Sequence, residues 1–337
     1  VSSMRKKFPH VFLHWEDFGR DNARRILMRY RNEFCTFNGD MQGTGVVALA
    51  AVLAAVQASS VPLTDHRIVI FGAGTAGVGI ADQIHQALLR AGLSEKEARA
   101  RFWLIDRPGL LTRAVKLLPF QECYARTQEE ISHWALRDPK QIDLYDVVKN
   151  TKPTILIGCS TVSNAFNEAI VRLMGETNER PIIMPLSNPT SLAEAKPEDL
   201  LKWTDGRAII ATGSPFPEVN FNGNWYRIAQ SNNALAFPGI GLACIALKTS
   251  RLSDNMLWAA TEALASCSPA INDQTAPLLP KLAEARMVSL AVAVAVAKAA
   301  EAEGLVKIPK DLDLKTYLEH YMWKPQYYPY QVLTQKG

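Results

Sequence analysis

Cysteine is scarce in this chain, and its spacing bounds the protein's class. Five cysteines in 337 residues, Cys35, Cys123, Cys159, Cys244 and Cys267, lie far apart and form no C-x-x-C pair. That spacing argues against a disulfide framework or a zinc site and fits a reducing, cytoplasmic compartment. An excess of charge of one sign is missing as well. The 37 basic and 33 acidic side chains leave +4, spread along the chain, so the expected partner is a small-molecule substrate, with no nucleic acid and no membrane. Long hydrophobic runs are also lacking. The longest apolar stretch, Met287 to Ala297, is flanked by Arg286 and Lys298 and falls short of the roughly 18 residues a spanning helix needs. It reads as a buried helix. The opening Val-Ser-Ser-Met-Arg-Lys-Lys has no apolar h-region, and Val1 reads as an internal start.

What is plentiful is apolar side chain, 48% of the residues, enough for a sizeable core in two domains or one large one. His10 to Trp15 is a short aromatic and β-branched run, and Ala23, Ile26, Leu27 and Tyr30 then follow at helical spacing, which reads as a strand and a helix. Gly43 to Ala58 is almost entirely small and aliphatic, the pattern of a helix buried on most sides. After the break at Ser59-Ser60-Val61-Pro62, five apolar runs alternate with helical segments: Ile68 to Phe71, Phe102 to Ile105, Ile155 to Ile157, Ile182 to Leu186 and Ala208 to Ala211. Short, unalternating runs suit strands covered on both faces, so the fold class is α/β, a doubly wound, mostly parallel sheet with flanking helices. Beyond Pro238-Gly239 the pattern turns helical at Ile240–Lys248, Asp254–Ala265 and Lys281–Ala302, with Ser253-Asp254 as an N-cap. Tyr321, Trp323, Tyr327, Tyr328 and Tyr330 mark a C-terminal tail whose rings need something to pack on.

Arg67-Ile-Val-Ile-Phe71 runs straight into Gly72-Ala-Gly74-Thr-Ala-Gly77 and then a helical pattern. This strand-turn-helix setting gives G-x-G-x-x-G its meaning as a dinucleotide fingerprint of a Rossmann-type sheet. Gly72, Gly74, Thr75, Ala76 and Gly77 are the expected cofactor contacts, because glycines permit close approach of backbone to pyrophosphate at a helix N-terminus. A second strand ends in Asp106, placed to hydrogen-bond the adenosine ribose, although alone it also reads as a solvated strand-end carboxylate. The interval from Gly77 exceeds the usual one of about 20 residues, and Leu93-Ser94-Glu95 supplies a turn within it. Asp106 repels a 2′-phosphate while Arg107 attracts one; NAD is the favoured cofactor.

Glu16, Asp17 and Asp40 stand at predicted element ends. Each alone reads as a surface charge, and no compact ligand motif joins them. If the fold gathers them, three carboxylates make a hard, all-oxygen site for Mg²⁺ or Mn²⁺.

Glu16-Asp-Phe-Gly, Asn22-Ala, Arg29-Tyr-Arg and Cys35-Thr-Phe-Asn-Gly-Asp40-Met-Gln-Gly-Thr44 closely resemble the malic enzyme family. So do Phe71-Gly-Ala-Gly-Thr-Ala-Gly77, Leu186-Ser-Asn-Pro-Thr190, Ala211-Thr-Gly-Ser-Pro-Phe216 and Asn232-Asn-Ala-Leu-Ala-Phe-Pro-Gly239. The resemblance implies NAD-dependent oxidative decarboxylation of malate to pyruvate and CO₂. It implies that Glu16, Asp17 and Asp40 bind the divalent cation, that Asn188 and Asn233 contact the substrate carboxylate, and that Asn232 lies near the nicotinamide. Without it, each asparagine reads as a loop cap or turn residue. Residues 1–39 would then end a substrate and metal domain, 40–232 form the NAD domain, 233–305 return to the substrate domain as helices, and 306–337 form a tail. The resemblance also implies a homodimer or homotetramer. In the family a lysine base, a tyrosine acid and a substrate-gripping arginine precede the strand that carries Glu16 and Asp17, so turnover is expected only of a longer protein.

Two positions depart from the family. Gly39 stands where members commonly carry a second acidic residue, and Gly158-Cys-Ser-Thr-Val-Ser-Asn-Ala-Phe166 only loosely resembles the glycine-containing loop near the nicotinamide. Gln121 resembles the NAD-using side of the family, where NADP users tend to carry a basic residue nearby. Two other readings stay open: an NAD- and metal-binding module without turnover, and another Rossmann dehydrogenase, such as an amino-acid dehydrogenase, which would not need the three carboxylates.

Overall fold

The computed structural model describes residues 1–138, 140–273 and 275–330, with backbone only at 20 and 21; positions 331–337 of the expected tail lie outside the described residues. The chain opens with α1 (Ser2–Lys7), β1 (Leu13–Trp15), α2 (Arg20–Tyr30) and β2 (Thr36–Asn38), and β2 pairs in parallel with β1. A wide, π-helical turn, Gly39–Gly43, leads into α3 (Thr44–Ser59). There follow β3 (Ile68–Phe71), α4 (Thr75–Arg90), α5 (Glu95–Ala100), β4 (Phe102–Asp106) and β5 (Gly109–Leu110). Next come α6 (Gln128–Ile131), α7 (Leu144–Thr151), β6 (Ile155–Gly158), α8 (Glu168–Thr177), β7 (Ile182–Pro185), α9 (Pro197–Trp203) and β8 (Ile209–Thr212). A hairpin of β9 (Val219–Phe221) and β10 (Asn224–Tyr226) precedes β11 (Ala229–Gln230). The helices α10 (Phe237–Ala246), α11 (Asp254–Ser266), α12 (Ala285–Ala302) and α13 (Leu314–Tyr321) complete the fold.

Seven strands form one sheet in the order β11-β8-β7-β6-β3-β4-β5, parallel throughout except where β5 turns back on β4. Its strands face two cores by strict alternation. Ile68, Ile70, Ile155, Ile157, Ile182 and Met184 join the core under α3 and α4, while Val69, Leu156 and Ile183 point to the core under α7, α8 and α9. Both faces being covered explains why the runs read as continuous apolar sequence, and each such side chain contributes about 1.5–3 kcal/mol on burial. The chain leaves β3 toward β4 on one side and returns to β6 on the other, so the sheet's switch point lies between β3 and β6. Ligands of doubly wound sheets sit at that crevice, beyond the C-terminal strand ends.

The N-terminal turn signals hold locally. Ser94 caps α5 through a reciprocal capping box with Glu97, which turns the chain within the long Gly77-to-Asp106 interval. Ser253 caps α11 by accepting from the Met256 N–H. One expectation needs correction: Met287–Ala297 is not the longest apolar stretch. The helical run Gly39–Ser59 is 21 residues, long and apolar enough by composition to cross a membrane, but its most apolar 18-residue stretch is 78% buried inside this fold. Glycine and threonine at its start had masked its length; here α3 packs between α4 and α11 as a core helix. The tail begins as α13, anchored by wholly buried Leu318 and by the Tyr317 hydroxyl donating to the Ala246 carbonyl, whereas Tyr327 and Tyr330 are fully exposed.

Candidate functional site

The glycine loop is shaped by what surrounds it. Gly72 has φ +103°, and a Cβ there would lie 2.4 Å from the Cys159 carbonyl, so only glycine fits without strain. A Cβ at Gly77 would lie 2.1 Å from the Gly72 oxygen, which fixes how closely α4 packs on the loop. The loop hangs from β4, with the Gly72 and Ala73 N–H groups donating to the Ile105 carbonyl at 2.8 and 3.0 Å. No side chain caps α4, whose N-cap is Gly74. Such a helix N-terminus, backed by glycine, is where a pyrophosphate binds.

Asp106 ends β4 at the rim of a cavity of about 620 Å³ lined by Phe71, Gly72, Asp106, Arg107, Cys159 and Ser160 among others. One carboxylate oxygen accepts from the Arg107 N–H at 3.0 Å, the other from the Gln121 amide at 3.1 Å. That amide nitrogen also donates to the Ala73 carbonyl at 2.8 Å, and Gln121 is buried. The side chain thus ties the ribose-binding candidate to the pyrophosphate-binding candidate. Gln121 was noted in the sequence only through its family resemblance; its place in the site follows from a fold-back after β5 that no local pattern announces. The loosely matching segment 158–166 forms the opposite wall of this cavity through Cys159, Ser160, Thr161, Val162 and Ala165.

The asparagines lie at the C-terminal side of the sheet. Asn188 Oδ1 accepts from the Ser214 hydroxyl at 2.6 Å, and Asn232 Oδ1 accepts from the Ala234 N–H at 2.9 Å. With the carbonyl oxygens engaged, each amide presents its NH₂ as donor, the polarity suited to a carboxylate or carboxamide oxygen. Asn232 also acts as the cap expected of a turn asparagine. Asn233 Nδ2 reaches Glu16 Oε1 at 3.4 Å across 217 residues of sequence, and its Cβ packs at 3.3 Å from the position of a Cβ on Gly43.

The three acidic candidates meet where β1 and β2 end. The Asp17 N–H donates to Asp40 Oδ2 at 2.9 Å, and Glu16 Oε2 bonds His14 Nε2 at 2.8 Å while lying over Gly39. A Cβ on Gly39 would fall 1.8 Å from that Glu16 oxygen, so Glu16 fills the space a side chain at residue 39 would take. Asp17 holds φ +58°, a conformation aspartate tolerates better than most residues. In kind, as hard oxygen donors, the three suit a hard cation. Their carboxylates do not converge: among the described residues no three His, Cys, Asp or Glu side chains are gathered to hold a metal ion. The turn carrying Asp40 packs on α4, with the Met41 carbonyl 3.6 Å from where a Gly79 Cβ would sit. The acidic corner and the dinucleotide helix are neighbours.

A parallel sheet with its switch point beside an uncapped glycine-bounded helix, and a strand-end carboxylate opposite, defines a dinucleotide-binding α/β protein. The sequence family described as malic enzyme, NAD binding domain, matches residues 41–301, and the chain belongs to that family. It is 53% identical over 335 residues to the NAD-dependent malic enzyme 3 of Bacillus subtilis, covering 99% of this chain and 59% of that protein. It is 48% identical to the NAD-dependent malic enzyme of Sodalis glossinidius, covering 98% of this chain and again 59% of the relative. Among solved structures, the NAD-dependent malic enzyme of Thermotoga maritima superposes with a TM-score of 0.67 at 26% identity, over 88% of this chain and 68% of that one. The Entamoeba histolytica malic enzyme shares the fold with a TM-score of 0.72 at 22% identity, over 95% of this chain and 61% of that one. The chain therefore spans about three-fifths of the length of the curated relatives it matches.

Proposed function

We propose that the whole protein oxidises and decarboxylates malate to pyruvate and CO₂ with NAD as acceptor and Mg²⁺ or Mn²⁺ as cofactor, and that this chain holds the cofactor, the cation and part of the substrate. The contact between Asn233 and Glu16 carries the reading, because it joins a candidate substrate ligand to a candidate metal ligand beside the helix that begins at the glycine loop. Oxidation at C2 needs a hydride acceptor, which bound NAD supplies, and loss of the distal carboxylate needs charge stabilisation of a developing enolate, which a divalent cation supplies. The chain's own residues do the holding. Asp106, fixed by Gln121, takes the ribose hydroxyls, and the first turn of α4 takes the pyrophosphate. The Asn188 and Asn233 amides donate to the substrate carboxylate, Asn232 lies toward the nicotinamide, and Glu16, Asp17 and Asp40 hold the cation.

The resemblance to the malic enzymes assigns proton transfer to a lysine and a tyrosine in a part of the whole protein outside this match. A cytoplasmic homodimer or homotetramer acting on a small molecule, without nucleic acid or membrane, completes the proposal: the dispersed charge supports the small-molecule partner and the scattered cysteines a reducing compartment. The test is malate-dependent NADH and pyruvate formation with Mn²⁺ by the whole protein. Asp40→Ala should lower turnover by about a hundredfold or more, and an Asp40→Ala enzyme that kept its rate would favour a dehydrogenase with no use for the acidic corner. This chain by itself should bind NADH without releasing pyruvate.

A further inference from the structure

We propose that Glu194 is a positioning residue that fastens the loop after β6 to the loop after β7, so that one carboxylate sets both the wall of the dinucleotide pocket and the Asn188 amide. The inference rests on the reading of the site given above. Glu194 lies between the turn Thr190–Leu192 and α9 and is wholly buried. Its Oε1 accepts from the Ser160 N–H and the Ser160 hydroxyl, each at 2.8 Å, and from the Ser187 hydroxyl at 2.5 Å. Its Oε2 faces the Ser187 N–H at 3.4 Å. All four donors belong to the two loops, none to the helix that follows Glu194. The Ser187 hydroxyl extends the link by accepting from the Thr161 N–H at 2.9 Å.

The fit around the carboxylate is tight. A Cβ on Gly158 would stand 2.5 Å from Glu194 Cδ, so glycine at the end of β6 leaves room for this side chain. Backbone contacts seat the same segment: the Asn164 N–H donates to the Ala193 carbonyl and the Phe166 N–H to the Glu194 carbonyl. From one end of the link, Cys159 and Ser160 press against Gly72. From the other, Ser187 leads directly into Asn188, whose oxygen is held by Ser214. A carboxylate is an acceptor at every contact, which suits four converging donors; an amide of the same shape brings two hydrogens of its own into that cluster. Glutamine keeps one oxygen but loses the charge, which weakens the three bonds to Oε1, and turns an NH₂ toward the Ser187 N–H, so the clasp between the two loops loosens.

Cys159 reports on the link. Its half-buried thiol lines the pocket, and burial, then the nearby Glu194 carboxylate, push it above the ordinary thiol range. In this chain, Glu194→Gln should speed alkylation of Cys159 by iodoacetamide about tenfold, the scale of one charge-assisted hydrogen bond, while exposed Cys123 reacts as before. In the whole protein, Glu194→Gln should lower kcat/KM for malate about tenfold, with Glu194→Asp recovering part of it. Asn188→Ala should lose malate turnover with Cys159 labelling unchanged. If Glu194→Gln does not fold, Ser187→Ala removes one donor, keeps the carboxylate and should shift labelling in the same direction. A lower melting temperature with native Cys159 labelling and native kinetics would overturn the proposal and leave Glu194 a structural strut. Failure of the unaltered whole protein to make pyruvate would instead sink the malate reading, and the labelling arm would still decide whether Glu194 holds the β6 loop.

Discussion

The glycines at the two halves of the site face different kinds of neighbour. At Gly72 and Gly77 an added Cβ meets main chain, the Cys159 carbonyl at 2.4 Å and the Gly72 oxygen at 2.1 Å; at Gly39 it meets the end of the Glu16 side chain at 1.8 Å. Main chain anchored in a seven-stranded sheet cannot give way without moving strands, whereas a glutamate carboxylate turns about single bonds. The dinucleotide cradle is thus fixed before any ligand arrives, and the acidic corner is adjustable. Its carboxylates lie near one another, tied to His14, to Asn233 and to backbone, without converging.

That contrast can be broken most forcibly at Gly77. Gly77→Ala should cost about 1–3 kcal/mol of stability by overpacking and weaken NADH binding at least about tenfold as α4 is pushed from the loop. Thermal melts and NADH fluorescence titration measure both, and an unchanged affinity would show slack in a loop whose geometry has none. Gln121→Lys comes next. A cation beside Asp106 should raise the ratio of NADP to NAD affinity by about tenfold, read by competitive titration; a ratio that stays put would remove Gln121 from the ribose subsite.

Smaller effects belong to the acidic corner. Gly39→Asp should displace Glu16 from its place over residue 39 and raise Mn²⁺ affinity by about two- to fivefold, the modest scale of a solvent-accessible charge pair. Electron paramagnetic resonance of free Mn²⁺ follows it, and weaker binding would mean that Glu16 cannot move. The smallest effect lies far from both halves. His66, buried near the N-terminal end of β3, has its imidazole held below the usual 6.5, chiefly by burial. The unfolded chain takes up that proton first, so the stability His66 contributes is complete above 6.5 and is lost as pH falls through the folded value. His66→Gln should flatten the stability profile as pH falls below 6.5, read by thermal melts across pH, with NADH affinity at neutral pH untouched.

Much of the fold could be read from the chain. The five apolar runs became β3, β4, β6, β7 and β8 within a residue or so at each end, because strands covered on both faces need apolar side chains at every position. The edges were not legible. β5 and β11 have two residues each, and the β9–β10 hairpin packs only partly buried side chains, so none carries a periodic signal. Within the site, Gly72, Gly77 and Asp106 were recognisable from the strand and helix beside them. Glu194 was not, since a single acidic residue in Ala193-Glu-Ala195 looks like any surface glutamate until four donors are seen around it.

The sequence by itself determined the α/β class, the glycine loop and the family, because these rest on local sterics and on motifs of adjacent residues. Only the tertiary structure decided that Gln121 clasps Asp106, that Glu16 lies over Gly39 and reaches Asn233, and that Glu194 joins two loops. Each of these is a side-chain contact between separate elements, and such contacts depend on how helices and strands pack around one sheet, which no window of the sequence encodes.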